Sequence, residues 1–284
     1  MALHDPAWFQ AQYDNRARVP EASTVILPRW AEASALSRAR MTCVLDQPYG
    51  IEPGETLDLF PAREPGAPVL VFIHGGWWRA LDKSDHSFVA PAFVQAGAMV
   101  VVPNYALCPR VDIAQIALQT TRALAWTWRN AARYGGDRKR IVVVGHSAGG
   151  HLAAMLLACH WKTVGADLPA RLVHGALAIS GLFDLEPIRQ TPFLAADLQL
   201  TPAAVRRLSP AYFARPRGPL AALVGGLESE EFLRQNQLIR DQWGPSTVPV
   251  CEALPGLNHF TVLHDLVDPE GQSHHHALRL LGLA

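Results

Sequence analysis

Five short runs of apolar residues recur along this chain: Val69-Leu70-Val71-Phe72-Ile73, Met99-Val100-Val101-Val102, Ile141-Val142-Val143-Val144, Gly175-Ala176-Leu177-Ala178-Ile179 and Leu220-Ala221-Ala222-Leu223-Val224. A strand with one face in water alternates apolar and polar residues, so runs without that alternation belong to strands covered on both faces. Segments of helical length lie between or after them, at 84–95, 112–133, 147–160 and 230–242, and a further strand is expected at 248–254. Connections of that length join parallel strands. The expected class is therefore α/β, a doubly wound, mostly parallel sheet with helices on both faces. In such sheets ligands bind beyond the carboxyl ends of the strands, so chemistry is to be sought just after each apolar run.

The 284 residues contain no internal repeat and no long linker, which favours one domain over 1–284. Residues 1–40 are set apart as an N-terminal helical appendage or cap, with Trp8, Tyr13, Trp30 and Leu36 at helical spacings and Pro28 expected to divide it into pieces. Strands at 42–45 and 56–60 follow. Lys plus Arg and Asp plus Glu are equal at 25 each, which gives no electrostatic footprint for nucleic acid or an anionic membrane and points to a small-molecule substrate. Cys43, Cys108, Cys159 and Cys251 are widely spaced and form no zinc or disulfide pattern. Neither a signal-like start nor a run of ~18 apolar residues is present, so no membrane insertion and a cytoplasmic location are expected. A homodimer is compatible with these features.

The strand ending at Val144 runs directly into Gly145-His146-Ser147-Ala148-Gly149-Gly150 and then into a helical pattern. A G-x-S-x-G in this strand–turn–helix setting pushes the serine hydroxyl out of the sheet edge, and makes Ser147 the candidate nucleophile. A second turn, His74-Gly75-Gly76-Trp77-Trp78, follows the strand at 69–73. Its Gly75 and Gly76 N–H groups, with that of Ala148, are candidate donors for an oxyanion hole. A serine needs a base. His74 and His146 belong to the two turns, and the triplet His274-His275-His276 reads as a solvated helix start. His259 follows the last strand and is the candidate base, with His264 read as a helix-surface residue. The orienting acid is expected between serine and histidine: Glu228 follows the strand at 220–224, Asp184 follows the one before it, and Asp265 is a more distant alternative. Trp77, Trp78, Phe183 and Phe260 could line an aromatic slot for substrate, although each is also an ordinary core residue.

These pieces together resemble the kynurenine formamidase (arylformamidase) group of α/β-hydrolases, related to the hormone-sensitive-lipase-like esterases. The resemblance rests on Tyr13-Asp14-Asn15-Arg16-Ala17-Arg18-Val19-Pro20, His74-Gly75-Gly76-Trp77-Trp78, Asn104-Tyr105, Gly145 to Gly150, Gly181-Leu182-Phe183-Asp184-Leu185-Glu186-Pro187, Glu228-Ser229-Glu230-Glu231-Phe232 with Arg234-Gln235, and Asn258-His259-Phe260. It implies an α/β-hydrolase fold, a triad of Ser147, Glu228 and His259, no metal or organic cofactor, and an aryl formamide such as N-formyl-L-kynurenine as substrate. Two positions depart from the common pattern, Glu228 where many members carry Asp and Trp77 where Tyr is frequent. A carboxylesterase of short acyl or aryl esters would use the same residues, and pocket shape separates the two. A non-catalytic binding member of the fold is disfavoured, because nucleophile, base, acid and oxyanion turn are all present.

Overall fold

The computed structural model describes residues 5–284. Its eight strands are β1 (Val44–Pro48), β2 (Thr56–Phe60), β3 (Ala67–Ile73), β4 (Met99–Pro103), β5 (Gly136–His146), β6 (Val173–Ile179), β7 (Leu220–Gly225) and β8 (Val250–Leu254). They form one sheet in the order β1-β2-β4-β3-β5-β6-β7-β8. β1, β2 and β4 pair antiparallel, and every pairing from β4 through β3 to β8 is parallel. The long apolar runs occupy the centre, as burial on both faces requires.

Strand side chains alternate between faces, so each run splits into two cores. Val69, Val71, Ile73, Val101, Ile141 and Val143 face one layer, built on α5 (Ile113–Asn130), α6 (Ala148–Leu157) and α11 (Glu230–Trp243). Leu70, Phe72, Val100, Val142, Val144 and Leu177 face the other, built on α3 (Ile26–Arg40), α4 (Ala90–Gln95), α12 (Val262–Val267) and α13 (Gln272–Leu281). The remaining helices are α1 (Pro6–Tyr13), α2 (Asn15–Arg18), α7 (Trp161–Val164), α8 (Glu186–Arg189), α9 (Pro192–Leu198) and α10 (Pro202–Leu208). α5 starts where the Asp112 carboxylate accepts from Gln115 N at 2.8 Å, and α11 where the Ser229 hydroxyl accepts from Phe232 N.

Prolines account for most boundary differences from the sequence reading. Pro28 does not divide the appendage, since it sits in the first turn of α3, where its missing N–H leaves no bond unmade. The helix expected over 84–95 is instead two 3₁₀ turns, Lys83–Asp85 and Ser87–Val89, followed by α4, which opens with Pro91 in its first turn. Pro249 delays β8 to Val250 because proline cannot donate to the ladder. The histidine triplet is corrected: only His275 is exposed. His274 stacks on Phe93 with centroids 4.8 Å apart and its Nδ1 meets Leu266 O, while His276 Nε2 lies 3.1 Å from Glu252. The helix lies on the sheet, so two of three consecutive positions turn inward.

The N-terminal helices are tied to the sheet by polar bonds as well as packing. Tyr13 is fully buried, its hydroxyl donates to Glu231 Oε2 at 2.6 Å, and its ring stands edge-on to Trp77 and Phe232. Burial, then the Glu231 charge, hold its hydroxyl well above the usual phenol range. Gln235, on the same helix as Glu231, donates to the Tyr13 oxygen and accepts from the N–H groups of Phe183 and Asp184. Removing the hydroxyl in Tyr13→Phe is expected to cost about 1.5–3 kcal/mol, the scale for a bond to a charged group. Equilibrium urea unfolding reads it; a loss below a few tenths would mean that packing alone holds α1.

Candidate active site

Ser147 stands between β5 and α6 with φ 58° and ψ −119°, a conformation rarely adopted by a residue with a side chain. Two glycines make the turn possible. A Cβ on Gly145 would lie 2.0 Å from Gly149 O, and one on Gly149 would lie 2.0 Å from Ile73 O, so strand and helix approach too closely for any other residue. Ser147 N donates to Ile179 O at 2.8 Å, which fixes the turn to β6 independently of the side chain.

Loops after β7 and β8 bring two more groups to the serine. His259 Nε2 lies 3.1 Å from Ser147 Oγ, and His259 Nδ1 lies 2.6 Å from Glu228 Oε2. An ionised carboxylate only accepts, so Nδ1 carries the proton and Nε2 presents its lone pair to the serine hydroxyl. The other carboxylate oxygen, Glu228 Oε1, accepts from Ser180 Oγ at 2.5 Å and Gly225 N at 2.8 Å. Ser180 itself has φ 53° at the end of β6. His146 Nε2 meets His259 O at 2.8 Å, and burial together with the His259 ring depresses the His146 pKa well below the usual range. It stays neutral and braces the loop.

The other candidate acids are elsewhere. Asp184 Oδ1 accepts from Glu186 N, its second oxygen lies 3.8 Å from Arg234, and neither contact is to His259. Asp265 accepts from the N–H groups of Gln272 and Ser273 and caps α13. His264 is exposed.

At the His74 turn the ring of His74 stacks on Tyr105 at 4.2 Å, and the Tyr105 hydroxyl donates to His74 O at 2.8 Å. His74 is fully buried and its pKa is lowered by desolvation. A Cβ on Gly76, whose φ is +98°, would lie 2.1 Å from Ala80 O. Gly75 packs directly on the nucleophile, where a Cβ would meet Ser147 Cβ at 3.0 Å. Ala148, first residue of α6, has an N–H without an intrahelical acceptor at the positive end of that helix.

A cavity of about 440 Å³ opens over Ser147 and His259. Trp77 and Phe260 are on its wall, as are Gly76, Trp30 and Phe193. Phe183 is not, which corrects its assignment to the slot: it is sealed in the core, where its N–H is caught by Gln235 and its ring packs under Gly181. Trp78 is likewise fully buried, edge-on to His151 at 5.0 Å. Phe193 on α9 takes the place expected for Phe183. The wall also includes polar residues that sequence reasoning passed over as site residues: Asp14, Asn15 and Arg16 at the start of α2, and Arg79 paired with Asp197. Among the described residues no cluster of three or more His, Cys, Asp or Glu is arranged to hold a metal, and no helix is long and apolar enough to cross a membrane.

The chain is similar to known proteins over most of its length. The BD-FAE family model matches residues 57–170. The kynurenine formamidase of Danio rerio is 30% identical over 246 residues, covering 83% of this chain and 81% of that protein, and the one from Salmo salar is 26% identical, covering 88% and 86%. Among solved structures, a protein of Silicibacter sp. TM1040 provisionally assigned as a thioesterase superposes with a TM-score of 0.82 at 29% identity, covering 93% of this chain and 97% of that one. Esterase B of Lactobacillus rhamnosis shares the fold with a TM-score of 0.68 at 18% identity, covering 94% and 96%. Similarity that spans most of both chains, on a sheet of this topology, means that the chain belongs to the kynurenine formamidase family and is a hydrolase of the α/β-hydrolase fold.

Proposed function

We propose that this hydrolase works through Ser147 and cleaves small aryl formamides, with N-formyl-L-kynurenine as the leading substrate. The observation that carries the reading is the continuous relay from Ser147 Oγ to His259 (3.1 Å) to Glu228 (2.6 Å) at the floor of an aromatic-walled cavity. His259 Nε2 takes the proton as Ser147 Oγ bonds to the formyl carbon, and Glu228 stabilises the imidazolium. The oxygen of the tetrahedral intermediate draws on N–H groups of Gly75, Gly76 and Ala148. His259 then gives its proton to the aniline nitrogen as the C–N bond breaks. Water, deprotonated by His259, attacks the formyl-enzyme; the products are formate and the free arylamine. An arylamine is a weaker base than an alkylamine, which makes it the better leaving group. The helices within 5–40 act as a cap on the same domain.

The test is kcat/KM for N-formyl-L-kynurenine beside aryl esters with short acyl groups and long-chain alkyl esters, since that ratio reports transition-state discrimination. Aryl substrates with small acyl groups are expected to exceed long-chain alkyl esters at least tenfold, a difference of only ~1.4 kcal/mol. Negligible turnover of the formamide with rapid cleavage of short esters would make the protein a carboxylesterase with the same triad.

A further inference from the structure

Three consecutive residues, the N-cap and first two positions of α2, stand on the cavity wall. Asn15 is only 5% exposed, and among the described residues its Nδ2 has no hydrogen-bond partner. It borders both the cavity over Ser147 and an adjoining one bounded by Glu228, His259 and Asn258. A buried amide NH₂ without an acceptor costs about 1–3 kcal/mol, a penalty that a bound acceptor would remove. Arg16 lines the cavity over Ser147, is exposed, and makes no ion pair among the described residues. Asp14 accepts one backbone bond, from Ala17 N at 3.1 Å, and has no cationic partner among the described residues. The other two charged wall residues, Arg79 and Asp197, neutralise each other.

The cavity wall therefore presents, in consecutive positions, an anion and a cation that make no ion pair among the described residues and an amide NH₂ with no acceptor. We infer that Asp14, Asn15 and Arg16 form a subsite for an α-amino acid carried on the leaving group, with Arg16 and Asn15 holding its carboxylate and Asp14 its ammonium. Arg16 suits a carboxylate because its guanidinium offers paired donors in one plane. The leaving-group side of the cavity follows from the reaction: His259 protonates the departing nitrogen, and Asn15 shares both cavities with His259. Precision comes from the preceding residue. Tyr13 is locked to Glu231 and Gln235 on α11, so the three residues after it are placed by a buried anchor and not by a free terminus. The assignment rests on the hydrolase reading above for the identity of the leaving group, and on the orphaned Asn15 Nδ2 between two charges without ion-pair partners for the site.

Equilibrium binding separates the two. The probes are L-kynurenine and its α-carboxyl methyl ester, titrated calorimetrically at low ionic strength into the wild-type protein and into Arg16→Ala, Arg16→Lys and Asp14→Asn. The wild type is expected to bind the free carboxylate at least tenfold more tightly than the ester. Arg16→Ala should erase that ratio and Arg16→Lys restore part of it. Asp14→Asn keeps the helix cap, since Asn caps as well as Asp; it should weaken both probes alike, because both carry the ammonium. Equal affinity of the wild type for the two probes, or an unchanged ratio in Arg16→Ala, would overturn the subsite. A discriminating protein that does not hydrolyse N-formyl-L-kynurenine would keep the subsite and refute the formamidase reading instead.

Discussion

Ser147→Ala is expected to lower kcat by roughly 10⁵–10⁶-fold, the scale on which serine hydrolase triads fail when the nucleophile is removed. An organophosphonate should label Ser147 in the wild type and leave no adduct in the variant. The fold is expected to survive. The strained φ of 58° is imposed by Gly145, Gly149 and the bond from Ser147 N to Ile179 O, none of which uses the hydroxyl, and alanine is smaller than serine. Unchanged circular dichroism and melting temperature would therefore accompany the loss of rate. The residual activity over water is informative too, since the N–H groups at the two turns would still bind the oxyanion and account for part of the catalysis. Labelling of a different serine, together with a fully active variant, would end the proposal for Ser147.

What could be read from the chain alone follows a physical division. Parallel strands buried on both faces must be apolar throughout, so β3 to β7 announce themselves, and the residues just beyond them are where an α/β sheet keeps its chemistry. Ser147 follows β5 directly and Glu228 and His259 lie in the loops after β7 and β8, which is why they stood out as candidates. The cavity wall obeys no such rule. Asn15 and Arg16 arrive from a helix far away in sequence, next to a pair, Tyr13 and Glu231, that are 218 residues apart, and Trp30 comes from α3, whose Ser34 Oγ accepts from Phe88 N. Tyr13-Asp14-Asn15-Arg16 and Glu231 with Arg234-Gln235 were both visible as motifs, but nothing local says that the two touch. Phe183 illustrates the opposite error. Closeness to the end of β6 suggested the slot, yet Gln235 captures the backbone at Phe183 and Asp184 and turns the ring into the core, leaving the wall to Phe193. For His274 and His276 the polar side chain suggested solvent, whereas aromatic stacking and a nearby carboxylate satisfy them inside.

Glu228→Gln is expected to lower kcat by about 10⁴, as loss of the orienting acid does in well-studied triads. The direction follows from hydrogen-bond polarity. Two donors, Ser180 Oγ and Gly225 N, converge on Glu228 Oε1, so the carbonyl oxygen of a glutamine must take that position and its NH₂ must face His259. The imidazole then has to accept at Nδ1, which moves its proton to Nε2 and points an N–H at Ser147 Oγ. A base with its proton already on the reacting side cannot deprotonate the serine. Asp184→Asn makes the contrasting case. Its oxygens serve Glu186 N and the neighbourhood of Arg234, so the change is expected to cost about 1 kcal/mol of stability and to alter kcat only severalfold. Kinetics on both folded variants, with urea unfolding alongside, decide between the two carboxylates. If Asp184→Asn abolished turnover while Glu228→Gln left it near normal, the acid would have to be reassigned, and the 2.6 Å contact at His259 Nδ1 would have to be structural. Adding Ser180→Ala to Glu228→Gln should not recover the lost rate, because Gly225 N still donates to the same oxygen and keeps the glutamine NH₂ facing His259.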